Sequence, residues 1–254
     1  MMMSCSLSHG RLARKHTMGL GISLGLVLAR MLMMNPVAAG AADVEAGMPI
    51  YMPPPNQSPR ERPPATNRGH PTSQTLVLSA LAPQHPGLTG SDQPALYWFL
   101  SKDVTVPVEF TLIDESGASP LLETMLASPM RAGHQSLRLS DYKLRLKPGV
   151  TYEWSVSVVF DPKHRSRDAL AQGFILHVAP SDELTRKLVQ EGQQQTASIY
   201  ASAGYWYDAV STLSERIEAD PNQALYRRQR AALMEQIGLH EAASYDREGG
   251  RHDH

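Results

Sequence analysis

The spacing of apolar positions changes period once along this chain, and that change divides it into a β part and an α part. From Thr75 to Val178 the short apolar runs follow strand rules, alternating or fully apolar and broken by turn residues. Thr75–Leu81 is one such run, closed by the polar, Pro- and Gly-containing stretch 82–91. Leu96–Leu100 is an aromatic-rich strand. In Val106–Asp114, Val108, Phe110 and Leu112 share one face, with Glu109, Thr111 and Ile113 on the other. Leu121–Leu126 and His134–Leu139 are weaker. A Lys147-Pro148-Gly149 turn then launches Tyr152–Phe160, and Gly173–Val178 follows. Seven short strands separated by turns predict an immunoglobulin-like antiparallel β-sandwich, although a jelly roll or small barrel produces a similar pattern. The expected core is Leu76, Leu78, Trp98, Phe110, Leu112, Leu137, Trp154, Val156, Val158 and Ile175. No cysteine pair is present to staple two sheets, so Trp98 and Trp154 are expected to anchor the middle.

Past Val178 the period becomes helical. Ser181, followed by Asp182 and Glu183, reads as an N-cap with acids at the positive end of the helix dipole. That helix continues through Leu184, Leu188 and Val189 towards Gln193–Gln195. A second helix carries Trp206, Ala209, Val210, Leu213 and Ile217 on one apolar face. Asp220 and Pro221 are read as N-cap and first residue of a third helix, which holds Leu225, Ala232, Leu233 and Ile237 and ends at Gly238. The Trp206–Ala243 pair resembles a single tetratricopeptide-like hairpin, which needs a neighbour to bury its face. The predicted class is therefore α+β, mainly β, with a sandwich over 74–179, helices over 180–245 and a polar tail over 246–254.

The N-terminus changes what the rest of the chain has to explain. Arg11, Arg14 and Lys15 precede an apolar run from Met18 to Ala29, and small residues follow Pro36, the pattern of a signal peptide cleaved near Ala39–Ala42. Arg30 leaves open an uncleaved membrane anchor, and a start at Met18 would remove the basic flank. Residues 42–73 are rich in proline and are expected to form a disordered spacer. Cys5, the one cysteine, would leave with the signal; a disulfide-free exported chain points to a periplasmic or extracellular envelope protein. Loss of residues 1–41 removes four basic and no acidic side chains, taking the net charge from −1 to −5. A mildly acidic chain without a basic run is a poor fit for nucleic acid or anionic lipid, so membrane contact is expected only if the signal is uncleaved.

No nucleophile elbow, phosphate loop or cysteine-based metal site is present, and no cofactor is implied. His252 and His254 could hold a divalent metal weakly, but a terminal pair of this kind implies no physiological metal. The densest chemistry is the stretch 161–168, with Asp161, His164, Arg165 and Asp168 between two expected strands. Structurally, Asp161-Pro162 makes a turn, with Arg165 and Asp168 pairing locally. Functionally, the loop is a recognition surface, or a general-base site built from His164 and Asp161 or Asp168. The partner-binding candidates are thus Asp161, His164, Arg165 and Asp168 on the loop, and Trp206 and Tyr207 on the hairpin. They describe a non-enzymatic module for an envelope protein or glycan, with self-association open. The alternatives are an envelope hydrolase and a membrane-tethered sensor.

Several motifs carry a resemblance in this order: Gln74-Thr75-Leu76 through Ala82-Pro83; Leu88-Thr89 with Pro94–Phe99; Val108–Asp114; Tyr152-x-Trp154; Asp161-Pro162 with Arg165-Ser166; Gly173-Phe174-Ile175; and Trp206–Ala209. Together they resemble the domain-of-unknown-function family 928 of exported cyanobacterial and other bacterial proteins, over roughly Gln74–Ala243. Phe160 departs from a cysteine found before the Asp-Pro in relatives, which argues against a redox role there. The resemblance implies export and a β domain followed by helices, and implies no reaction.

Overall fold

In the computed structural model the described residues are 47–55, 76–117 and 119–250. The signal segment with Cys5, most of the proline-rich stretch and the His252–His254 tail lie outside them. Among the described residues, eight strands and five α-helices make an α+β fold with two mostly antiparallel sheets and the helices at the C-terminal end. The strands are β1 (Leu78–Ala80), β2 (Gly87–Thr89), β3 (Ala95–Leu100), β4 (Val108–Asp114), β5 (Leu122–Leu126), β6 (Gly133–Arg138), β7 (Thr151–Val158) and β8 (Ala169–His177). A three-stranded sheet has the order β1-β3-β6, and a five-stranded sheet the order β2-β8-β7-β4-β5. All pairs are antiparallel except β2 with β8, which runs parallel with Leu88 opposite Leu176.

The alternation read from β4 holds in space. Val108, Phe110 and Leu112 are buried while Glu109, Thr111 and Ile113 are partly exposed. β7 repeats this, with Tyr152, Trp154, Val156 and Val158 inward. Each expected core residue is buried, and residues of both sheets and the helices join one apolar cluster. Phe110 stacks on Trp154 at 6.2 Å. Burying aromatic area of this kind supplies the largest apolar gain per residue. The turn before β7 is as expected: Gly149 has φ 73°, which suits glycine, and its N–H donates to His177 O.

β2 falls in the stretch read as a connection, because three residues flanked by proline and glycine show no alternation. β8 begins at Ala169, earlier than expected, so the preceding loop is shorter by that much.

The helices are α1 (Asp182–Gln190), α2 (Thr196–Ser202), α3 (Trp206–Ala219), α4 (Ala224–Gln236) and α5 (His240–Arg247). Ser181 caps α1 as expected, its Oγ accepting Leu184 N–H at 3.2 Å. Asp220 does not cap α4. It closes α3, and the chain needs the turn through Pro221 and Asn222 before Gln223 can cap the next helix with its side chain. α2 is a separate short helix where the sequence showed only a fraying end, and α5 is a helix of its own, after Gly238, within the stretch expected to be helical. Among the described residues no helix is long and apolar enough to cross a membrane.

The proline-rich stretch is not a spacer throughout. Residues 47–55 are docked in extended form against the helices, with Tyr51 buried and Met52 N–H donating to Ala201 O. Tertiary hydrogen bonds and one aromatic anchor override a composition that favours disorder.

Candidate functional site

The loop between β7 and β8 contains one 3-10 turn, Arg165–Arg167, and its charges are spent on one another. Asp161 Oδ2 lies 2.6 Å from His164 Nδ1, and Lys163 N–H donates to Asp161 Oδ1 at 2.9 Å. The hydrogen bond from His164, then that from Lys163, holds the Asp161 carboxyl below the usual range. Arg165 reaches back over the five-stranded sheet to Glu109 in a two-pronged pair and also donates to Asp168 at 2.5 Å. Those two carboxylates raise its already high pKa. The four residues named from sequence are therefore together on one loop, in two pairs, of which Arg165–Asp168 is tied to Glu109 on β4 and Ser157 on β7.

Trp206 and Tyr207 are both buried, at 0% and 1% exposure, so neither ring is the exposed partner-binding group expected from the sequence, although Tyr207 borders the cleft beside α3. Trp206 Nε1 donates to Leu81 O at 2.8 Å, and Tyr207 OH donates to Phe174 O at 3.0 Å while accepting from Trp154 Nε1 at 2.8 Å. An aromatic pair in the first turn of an amphipathic helix looks the same in sequence whether it meets a partner or its own sheet. Here it is the sheet. Gly87 lets the Tyr207 ring approach, since a Cβ there would lie 2.8 Å from Cε2.

The same helix carries a polar stripe opposite the apolar face read from the sequence. Asp208, Ser211, Thr212 and Glu215, spaced i, i+3, i+4, i+7, line an open cleft of about 250 Å³ between α3 and the three-stranded sheet. Ser91, Gln93, Arg138, Ser140 and Tyr200 face them. Asp208 accepts Gly90 N–H at 2.9 Å and a hydrogen bond from Thr89. Burial nevertheless dominates and pushes its carboxyl up to about 6. The lining is mostly hydroxyl, carboxylate, carboxamide and guanidinium groups, with Pro94, Ala95 and the phenol rings of Tyr200 and Tyr207. Tyr97 OH and Ser211 Oγ, 3.3 Å apart, and the exposed Arg138–Glu218 pair separate this cleft from a second one.

The second cleft, about 190 Å³, has a buried ion network at its side. Arg230 donates to both oxygens of Asp246, at 2.8 and 2.7 Å, and to Ser214 Oγ at 2.9 Å. His134 Nε2 lies 3.2 Å from Asp246 Oδ1. Burial lowers the His134 pKa, with the Arg230 charge adding to it. For Asp246 burial acts upwards, but the hydrogen bonds and charges of Arg230 and His134 outweigh it and hold the carboxylate ionised. This network ties α4 and α5 to β6. Among the described residues no group of three or more metal-ligating side chains is assembled.

No curated protein matches the chain. Among solved structures, astrotactin-2, described as a conserved vertebrate-specific, perforin-like membrane protein involved in neuronal development, aligns at 15% identity with a TM-score of 0.26. The alignment covers 70% of this chain and 34% of the astrotactin chain, and at that score it carries no structural argument. A family model does match, over residues 63–246 and so over most of the strands and helices described above. The chain belongs to the family described as Domain of Unknown Function, DUF928.

Proposed function

We propose that this is an exported envelope protein that binds a glycan without transforming it, in the cleft between α3 and the three-stranded sheet. The observation that carries the reading is the polar stripe Asp208–Ser211–Thr212–Glu215 facing Arg138, Ser140 and Gln93 across an open cleft. A polyhydroxylated ligand is recognised by a dense set of short-range donors and acceptors on a fixed scaffold, and two sheet strands and a helix supply that scaffold here.

The scaffold itself is best understood as an immunoglobulin-like sandwich bearing a tetratricopeptide-like hairpin. Two features support this. The chain passes between the sheets five times, from β1 to β2, β2 to β3, β3 to β4, β5 to β6 and β6 to β7. Tyr152, at the start of β7, accepts the Lys147 N–H on its hydroxyl at 2.9 Å, the tie that pins the corner before the equivalent strand of such domains. In that comparison Trp154, two residues on, stands where a stapling cysteine would be. The α3–α4 hairpin finds its neighbour in the sheets.

Titration of the purified chain with soluble envelope glycans, followed by calorimetry, tests the proposal. Binding is expected for the wild type and a loss of at least tenfold for Thr212→Trp and Glu215→Ala, with unchanged melting. Undiminished binding by both variants sinks the reading. A second reading, hydrolysis with His164 as base oriented by Asp161, draws on their 2.6 Å contact. It requires an activity on envelope substrates that disappears in His164→Ala.

A further inference from the structure

Residues 47–55 occupy a groove built by α2, α4 and the start of α3, and the contacts read a peptide backbone. Gln236, on α4, accepts Tyr51 N–H on Oε1 at 2.8 Å and donates from Nε2 to Pro49 O at 2.9 Å. Gln229, two turns earlier on the same face, donates to Gly47 O at 2.7 Å. From the other wall Ala201 O accepts Met52 N–H at 3.1 Å. A carboxamide that both donates to and accepts from a main chain holds an extended segment in register with no demand on its side chains.

One side chain is demanded. Tyr51 enters between the edge-on Trp206 ring, at 4.8 Å, and the stacked His85 ring, at 5.9 Å, with its hydroxyl 3.3 Å from His85 Nε2. Ile50 and Met52 point outward, 68% and 58% exposed. Beyond them Pro54 lies against Gly204, where a Cβ would come within 3.0 Å of its Cγ. The positive φ of Gly204 and this close approach both require glycine. The bound pattern is Pro49-Ile50-Tyr51-Met52-Pro53: a tyrosine flanked on each side, one residue away, by proline. Proline pre-extends such a segment and lowers the entropy lost on docking.

We propose that this groove is a peptide-recognition site for an extended Pro-x-Tyr-x-Pro segment, with residues 47–55 as its tethered occupant and a partner protein bearing the same pattern as its exchangeable one. The tether sets the competition. Residues 56–75 join the segment to the sheets, and a connection of that length gives an effective concentration on the order of millimolar. Partner peptides therefore enter only when the chain's own segment is weakened or displaced. Tyr51 touches Trp206 on α3 and His85 in the β1–β2 connection, so the same contact clamps the helices to the sheets.

The test uses the full chain and a fluorescent peptide of the sequence 47–55. Little binding is expected to the wild type, and binding at least tenfold tighter to Tyr51→Ala, whose own segment has lost its anchor. A peptide with alanine in place of tyrosine should not bind, nor should the normal peptide bind Tyr51→Ala carrying Gln229→Ala and Gln236→Ala. Absence of binding to a natively melting Tyr51→Ala chain, or equal binding of the alanine peptide, overturns the proposal. If Tyr51→Ala does not fold, the wild type with a protease site placed at Thr66 is cut. The freed arm should stay bound on gel filtration and be displaced by excess peptide, and an arm that separates at once overturns the proposal.

Discussion

The β7–β8 loop and the sheet–helix junction carry similar densities of polar and aromatic chemistry in the sequence, and the fold uses them in opposite ways. On the loop, Asp161 and His164 pair in water, and the half-exposed Arg165 covers the largely buried Asp168 and the partly exposed Glu109. At the junction, Trp154 donates to Tyr207, which donates to Phe174 O, and Trp206 donates separately to Leu81 O, all from buried rings. The difference lies in dielectric and in what is lost on removal. An exposed pair exchanges its partner for water at little cost. A buried ring leaves a cavity and an unpaired polar atom.

The sharpest way to break the comparison is Trp206→Ala. Truncation of a fully buried tryptophan should cost about 3–5 kcal/mol, lowering the melting temperature by roughly 10 °C in a chain of this size. A loss under about 1 kcal/mol would show that the junction does not hold the helices. Next is Tyr207→Phe, which deletes one hydroxyl shared by Trp154 Nε1 and Phe174 O. Leaving both buried groups unsatisfied should cost about 1–3 kcal/mol in denaturant unfolding.

A smaller effect is expected from Asp208→Asn, and it depends on pH. The folded carboxyl titrates at about 6, above its unfolded value, so the folded state binds more protons between roughly pH 4 and 6. Wild-type stability therefore falls as pH rises through that window. The asparagine variant can still accept Gly90 N–H and lacks this fall, so its advantage should grow from pH 4 to pH 6 and level above that at no more than roughly 3 kcal/mol. Parallel stability curves for the two chains would refute the assignment. The smallest effect belongs to the exposed pair on the loop: Asp161→Ala with His164→Ala should move melting by no more than about 2 °C, and a large drop would erase the contrast.

What was legible in the sequence follows from how local each signal is. Val108, Phe110 and Leu112 announce their strand because alternation needs only one side of one sheet. The Trp206, Ala209, Val210, Leu213, Ile217 face announces its helix by the same logic. β2 was invisible because Gly87-Leu88-Thr89 has no alternation of its own and pairs with Leu176, far along the chain. The docked segment 47–55 was read as spacer because its stability comes from Gln229, Gln236 and Trp206, none of which is nearby in sequence. Asp208 could have been noticed, since it follows Trp206-Tyr207 directly. Its meaning depended on knowing that the helix's polar stripe faces the three-stranded sheet rather than solvent.

Gly87 and Gly90, at the two ends of β2, bear on how this protein can be inherited. Tyr207 rests directly on the backbone at Gly87 and Pro180 rests on Gly90. At those two points strand and helices meet main chain to ring, while between them Leu88 packs against Leu184 and Tyr205. A gene break near Ala179 would deliver two fragments, each with a raw surface cut to fit the other. The piece that recombination can copy and move is the span 76–250 as a whole.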